Sequence, residues 1–242
     1  MKLYIAIDDT DSLEVGATGQ SANEMRRIIK DKGWGSTEPV TRHQLLIHPD
    51  VPYTSHNSSM CFIAEIEEDK LDQFIDYAAD FLKETSAPGS DPGLCVAVSE
   101  NIKNLDKLMS FGVRAKKQVL SKEEAYQTAR ECNVHLSEHG GTGQGVIGAL
   151  AGLSLRLTGN DGRFQGRTNL KATGEIMKVE EIIAGTEIEE IQSVDGQVLA
   201  LDEKLVVGEK IKTVLLDNKR KLLVYWENNQ WHTCTNKHLE KY

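Results

Sequence analysis

The chain opens on Leu3-Tyr4-Ile5-Ala6-Ile7-Asp8-Asp9-Thr10-Asp11-Ser12, five apolar residues running straight into three carboxylates within four positions. A short apolar run of this kind predicts a buried strand. The acids therefore stand where that strand leaves its sheet, the place where open α/β sheets put ligands. Three crowded carboxylates repel one another unless a cation sits among them, and an all-oxygen set suits Mg²⁺. Magnesium commonly arrives with phosphate oxygens, so phosphate chemistry is the leading inference. A turn or cap would explain one aspartate here, but three, with Thr10 and Ser12 between them, exceed what a turn needs.

Working outward, a loop through Gly16 and Thr18 leads to a helix expected from about Ser21 to Lys32, with Ser21 as its N-cap. Strands are expected at Thr41–His48, Met60–Ile66 and Leu94–Val98, and helices at Leu71–Leu82 and Lys122–Cys132. Strand, helix, strand and a further helix describe a small ferredoxin-like unit. Pro49, Pro52 and the polar stretch Tyr53–Ser59 form a long loop, of the sort that often carries function. A short strand at Val134–Leu136 precedes Gly140-Gly141-Thr142-Gly143-Gln144-Gly145 and a helix of small residues, Val146–Leu155. From Thr173 the chain becomes strand-rich, with strands expected at Val198–Leu201, Ile211–Leu215 and Leu222–Trp226. Asp217-Asn218 and Asn228-Asn229 are the turns between strands.

The chain has 242 residues, 39% hydrophobic and 27% charged, an ordinary globular composition long enough for one large or two modest domains. No run reaches the length of a membrane span and no basic-then-apolar leader is present, so a cytoplasmic protein without a membrane partner is expected. Cys61, Cys95, Cys132 and Cys234 are far apart and form no CxxC, which fits reduced thiols and not a zinc site. A net charge of −9 opposes broad nucleic-acid affinity, though a local basic patch survives such a balance.

Other motifs are weaker. Gly143-x-Gly145-x-x-Gly148 matches the dinucleotide fingerprint formally, but no acidic residue follows in strand context, and the absence of GKS or GKT excludes a P-loop. Its glycines serve either to cradle phosphate or to let a helix pack closely. A hydroxyl at Thr18 would either help to cap the helix or receive a phosphoryl group from ATP held at the acids. His43, His48, His56, His135 and His139 read as solvated or hydrogen-bonded loop residues. Arg114, Lys116 and Lys117, and Lys219-Arg220-Lys221, read as solvated faces, and Trp226 and Trp231 as core.

At Ile7-Asp8-Asp9-Thr10-Asp11-Ser12, with Gly16 and Thr18 following, the chain resembles the archaeal tRNA-Ile 2-agmatinylcytidine synthetase family. Asp91-Pro92-Gly93-Leu94 and Gly145-Val146-Ile147-Gly148-Ala149-Leu150 extend the likeness over roughly residues 1 to 170. The resemblance implies an unusual kinase core carrying a ferredoxin-like insertion. In that family ATP and Mg²⁺ phosphorylate a cytidine carbonyl, agmatine displaces the phosphate, and a loop threonine is autophosphorylated. By position, Asp8, Asp9 and Asp11 would hold Mg²⁺ and phosphates, and Thr18 would be the acceptor. The family's zinc ribbon has no cysteine pair here, its P-W-K-T-R-G-N loop reads Pro52-Tyr53-Thr54-Ser55-His56-Asn57, and its CTT reads Ala17-Thr18-Gly19. Loss of those cations points to a different or smaller acceptor.

The expected architecture is thus an α/β (α+β) kinase-like core over residues 1–58 and 134–172, a ferredoxin-like unit over 59–133, and a β-rich tail over 173–242. The expected activity is Mg²⁺-dependent use of ATP to phosphorylate an acceptor oxygen, on tRNA or a smaller molecule. Asp8, Asp9, Asp11 and Thr18 would be catalytic, while Thr10, Ser12, Gly141, Gly143 and Gly145 would contact the nucleotide. Two alternatives are a phosphohydrolase of the haloacid dehalogenase type, with Asp9 as nucleophile, Asp11 as acid/base and Leu13 in an atypical place, and a non-catalytic nucleotide sensor.

Overall fold

The opening apolar run forms β1 (Lys2–Asp8), and both of its faces are covered. In the computed structural model, which describes residues 1–12, 16–51, 57–166, 168, 170 and 173–242, two compact units are present, Met1–Thr158 and Gly159–Tyr242.

The first unit continues with α1 (Thr18–Asp31), β2 (Gly35–Thr37), β3 (Thr41–Gln44), β4 (Ser58–Ile66), α2 (Leu71–Thr85) and β5 (Gly93–Val98). It ends with α3 (Leu105–Ala115), α4 (Lys122–Cys132), β6 (His135–Glu138) and α5 (Gly145–Leu157). Its sheet runs β6-β5-β1-β4-β3, with β2 also on β4, and every pairing is antiparallel. The acids therefore do not stand at the strand ends of an open parallel sheet. They reach a site because β1 lies centrally and α5 begins beside its C-terminal end.

Leu3, Ile5 and Ile7 point into one cluster with Ala22, Met25 and Ile29 of α1 and Phe74, Ala78 and Leu82 of α2. Ala6, Cys61 and Cys95, neighbours across three strands, belong to the other face with α3, α4 and α5. A sheet buried on both faces explains why β1 reads as an unbroken apolar run. Small side chains on the α5 face let that glycine-rich helix come close to the strands.

Helix α1 begins at Thr18, and its N-cap is Ala17 in extended geometry with no side-chain cap, not Ser21. Helix α3 was not expected, although Leu108, Phe111, Gly112 and Ala115 bury one face at helical spacing. The expected span of α4 matches the observed one, with Ser121 Oγ capping Glu124 N and Asn133 ending it in the left-handed region.

The second unit contains β7 (Arg163–Phe164), β8 (Ile176–Lys178), α6 (Val179–Gly185), β9 (Glu190–Ser193), β10 (Lys204–Val206), β11 (Thr213–Leu216), β12 (Lys219–Glu227) and β13 (Gln230–Thr233). Asp217-Asn218 and Asn228-Asn229 make two-residue hairpin loops in which all four residues have positive φ. Such pairs match the twist of the flanking strands. Val198–Leu201 is not a strand: Val198 makes only an isolated bridge to Gln192. Trp226 is 55% exposed, packed edge to face on Trp231, so it is not core. Lys221 is no solvated cation either; it is 2% exposed and paired with Glu190 and with Asp217 at 2.6 Å. Among the described residues no helix is long and apolar enough to cross a membrane. The four cysteines are free and buried.

Candidate functional site

The chain leaves β1 by a sharp turn in which Asp9 has φ 54°, a left-handed conformation that a short polar side chain tolerates. Asp8 and Asp9 open into a cavity of about 380 Å³. Its other walls are Gln144, Gly145, Ile147 and Gly148 at the start of α5, Ala115 at the end of α3 with Gln118–Leu120 beyond it, and Leu45, Leu46, Asp50, Val51 and Asn57. Asp8 reaches this space because Gly148 carries no side chain: a Cβ there would collide with Asp8 Oδ2.

Electrostatically the acids are strained in a consistent direction. Burial, reinforced by the charges of Asp9 and Asp11, pushes Asp8 up to about 8 against a hydrogen bond from the Asp9 main chain. Asp9 is pushed up to about 6 by burial and then by Asp91, opposed by a hydrogen bond from the Asp91 main chain. A cation brought between these carboxylates would relieve their repulsion.

Asp11 and Thr18 are not among the residues lining this space. Thr18 is 6% exposed, and its Oγ1 donates to Asp11 Oδ1 at 2.7 Å and accepts from Thr10 N at 3.4 Å. Its hydroxyl is thus engaged with a carboxylate and does not cap α1. Thr10 Oγ1 donates to Ser21 Oγ at 3.3 Å, tying the acid turn to the first turn of α1. Ser12 is described, whereas Leu13, Glu14 and Val15 of the expected loop, and Pro52–His56 of the proline loop, lie outside the described residues.

The glycine-rich segment meets the acids through Asp91, which pattern reading did not select for a role. Asp91 Oδ1 accepts from Thr142 N at 2.6 Å, and Oδ2 accepts from Thr142 Oγ1 and from Gln144 N at 3.4 Å. Gly141, at φ 55°, lies against the Asp91 carboxylate, so the turn needs both the positive φ and the missing side chain. Gly145 lies against the Asp91 carbonyl and lines the cavity, and Gly143 faces the Lys122–Glu138 ion pair instead. Close packing is thus seen at all three glycines, and of the three Gly145 also lines the cavity. The signal that would have found Asp91 is its place in Asp91-Pro92-Gly93, a turn entering β5 beside β1.

Among the described histidines, His43 is fully buried with Nε2 2.8 Å from Thr41 Oγ1, and His135 and His139 share Ser137 Oγ at 2.9 and 2.8 Å. Among the described residues no group of three or more His, Cys, Asp or Glu side chains converges as a metal site. Of the three expected metal ligands, Asp8 and Asp9 share the cavity, and Asp11 is turned to Thr18. The hard oxygen donors of Asp8 and Asp9, each destabilised in its ionised form, fit a Mg²⁺ ion chemically.

No protein-family model matches the chain. An uncharacterised protein of Methanocaldococcus jannaschii is 33% identical over 158 residues, which cover 64% of this chain and 50% of that protein. A structure of TiaS in complex with an isoleucine tRNA and ATP is 25% identical at a TM-score of 0.55, covering 64% of this chain and 36% of that one. Apo TiaS, a tRNA agmatidine synthetase, shares the fold at a TM-score of 0.54 and 22% identity, over 75% of this chain and 42% of that one. The chain thus spans half the length of the curated relative it matches and less than half of the solved synthetases. The likeness to these synthetases expected from the Asp8–Ser12 stretch is thus shown at the level of the fold.

Proposed function

We propose, for a chain that shares the fold of the agmatidine synthetases, that it is an ATP-using enzyme of the tRNA-modifying synthetase kind. The observation that carries this reading is a pair of carboxylates, Asp8 and Asp9, opening into a cavity walled on another side by the start of α5; the Thr18 hydroxyl, bonded to Asp11, stands outside that lining. ATP would lie in the cavity with its phosphates toward Asp8 and Asp9. Those two aspartates, with Asp11 near them, would hold Mg²⁺, which when bound neutralises the β- and γ-phosphate oxygens.

Thr18 is the proposed phosphoacceptor. Its Oγ1 attacks the γ-phosphorus, the bond to the β–γ bridging oxygen breaks, ADP departs, and the hydroxyl proton passes to Asp11 Oδ1. The 2.7 Å Thr18–Asp11 hydrogen bond is the nucleophile–base arrangement this needs. The final acceptor is an oxygen on a tRNA or on a smaller molecule, activated by phosphorylation. The antiparallel pairing of β1 on both sides speaks against the haloacid dehalogenase alternative, which was read from a strand-end DxD alone.

Incubation with γ-labelled ATP and Mg²⁺ tests the assignment. Label is expected on the wild-type chain and absent from Thr18→Ala, with transfer slowed at least tenfold in Asp11→Asn, within the usual range for removal of a general base. Label persisting in Thr18→Ala would refute the acceptor role. Nucleotide binding without any transfer would select the sensor.

A further inference from the structure

We infer that Asp91 is a positioning residue that holds both sides of the cavity in register; the inference rests on the nucleotide reading above. On the β1 side, the pairing of Asp8 with Gly93 sets the Asp91 turn beside the Asp9 turn, and the Asp91 main chain favours the ionised Asp9 carboxylate there. The Asp91 carboxylate itself takes three donors from the glycine-rich segment: Thr142 N at 2.6 Å, Thr142 Oγ1, and Gln144 N at 3.4 Å. Behind these bonds, Gly141 packs on the Asp91 carboxylate and Gly145 on its carbonyl, where a Cβ at either position would collide. One residue thus makes contacts on both sides of the cavity without lining it. A carboxylate occupied by three donors is poorly placed to serve as a metal ligand, which separates its role from that of Asp8 and Asp9. Pro92 extends the arrangement, because its carbonyl accepts from His139 N at 2.8 Å, just after the strand that leads into the segment.

The chemical consequence is preorganisation. Gln144 and Gly145, which lie on the cavity wall, would otherwise have to be ordered when ligand enters, at the expense of affinity. Asp91 removes that requirement in advance. Asp91→Ala loses every side-chain acceptor, whereas Asp91→Asn keeps one carbonyl oxygen and should recover part of the effect. Thr142→Val removes one hydroxyl donor and leaves Asp91 in place, which covers the case in which Asp91→Ala fails to fold.

Two measurements on the full chain decide the matter. The first is amide hydrogen exchange without nucleotide: the amides of Thr142 and Gln144 should exchange at least tenfold faster in Asp91→Ala, while those of β1 and β5 keep their protection. The second is titration with a non-hydrolysable ATP analogue and Mg²⁺. Affinity should fall about tenfold in Asp91→Ala, about threefold in Asp91→Asn and about threefold in Thr142→Val, in line with the loss of one to several hydrogen bonds. Unchanged exchange at Thr142 and Gln144 overturns the inference whatever the ligand. Unchanged affinity across the three variants, with the wild type binding, overturns its link to the nucleotide. Failure of the wild type to bind the analogue would instead refute the function proposed above, leaving the exchange result to judge Asp91.

Discussion

Asp8 is the residue at which stability and site chemistry oppose each other. Its folded-state value near 8 lies well above its ordinary value of 3.8, so the folded state holds the proton more tightly than the unfolded chain. Its contribution to stability is therefore full below about pH 4 and is lost as pH rises through about 8; Asp9 behaves alike with its loss complete near 6. Asp8→Asn should accordingly raise the melting temperature, and by more at pH 8 than at pH 5, when divalent cations are absent. Equal gains at the two pH values would show that Asp8 is not a buried acid. Gly148→Ala tests the same atom from the other side: the added Cβ would press on Asp8 Oδ2, and ATP-dependent labelling should drop at least tenfold. Undiminished labelling in that variant would remove Asp8 from the site.

Element α5 shows how helix packing creates the site. It is buried along nearly its whole length, and it lies against α3 through Gly112, where a Cβ would stand 2.8 Å from Ser154 Cβ. Gly112→Val should therefore cost about 2 kcal/mol by overpacking, read as a lowered midpoint in denaturant unfolding. A midpoint within error of the wild type would mean that the two helices can separate without penalty. The hairpin loop Asn228-Asn229 offers an opposite test. Both residues are left-handed, and Asn229→Gly should raise stability by roughly half a kcal/mol, since glycine is the preferred second residue of such a loop. Strands β11 and β12, the hairpin turns, β1, β4, β5, α2 and α4 were legible because each carries its own apolar spacing or turn residues. Helix α3 was not, because Leu105–Ala115 follows a stretch without a clear start signal, and its N-cap position Asn104 makes no side-chain cap. Val198–Leu201 misled because an apolar pair in a loop, Val198 and Leu199, imitates a strand end; only Leu199 is buried.

At the scale of the whole chain, each unit has hydrophobic clusters of its own among the described residues. Two clusters lie wholly within Met1–Thr158 and the other two wholly within Gly159–Tyr242. A fragment ending at Thr158 should therefore unfold cooperatively and keep its affinity for Mg²⁺ and an ATP analogue within about threefold of the full chain. A fragment that melts without cooperativity would show that the first unit depends on the second.

The amino-acid order by itself settled what β1 is and that its acids need explaining, because a short apolar run followed by crowded carboxylates has few physical solutions. It also pointed to the fold of the synthetases, through Asp8–Ser12 and the segment after Gly143, and it settled the hairpin turns, whose residue types are dictated by local backbone geometry. Only the tertiary structure decided that the sheet is antiparallel and buried on both faces, that Thr18 bonds to Asp11 instead of capping a helix, and that Asp91 joins the two sides of the cavity. These last facts depend on residues 7, 51 or more positions apart meeting in space, and the energy of such meetings comes from packing that no local pattern records.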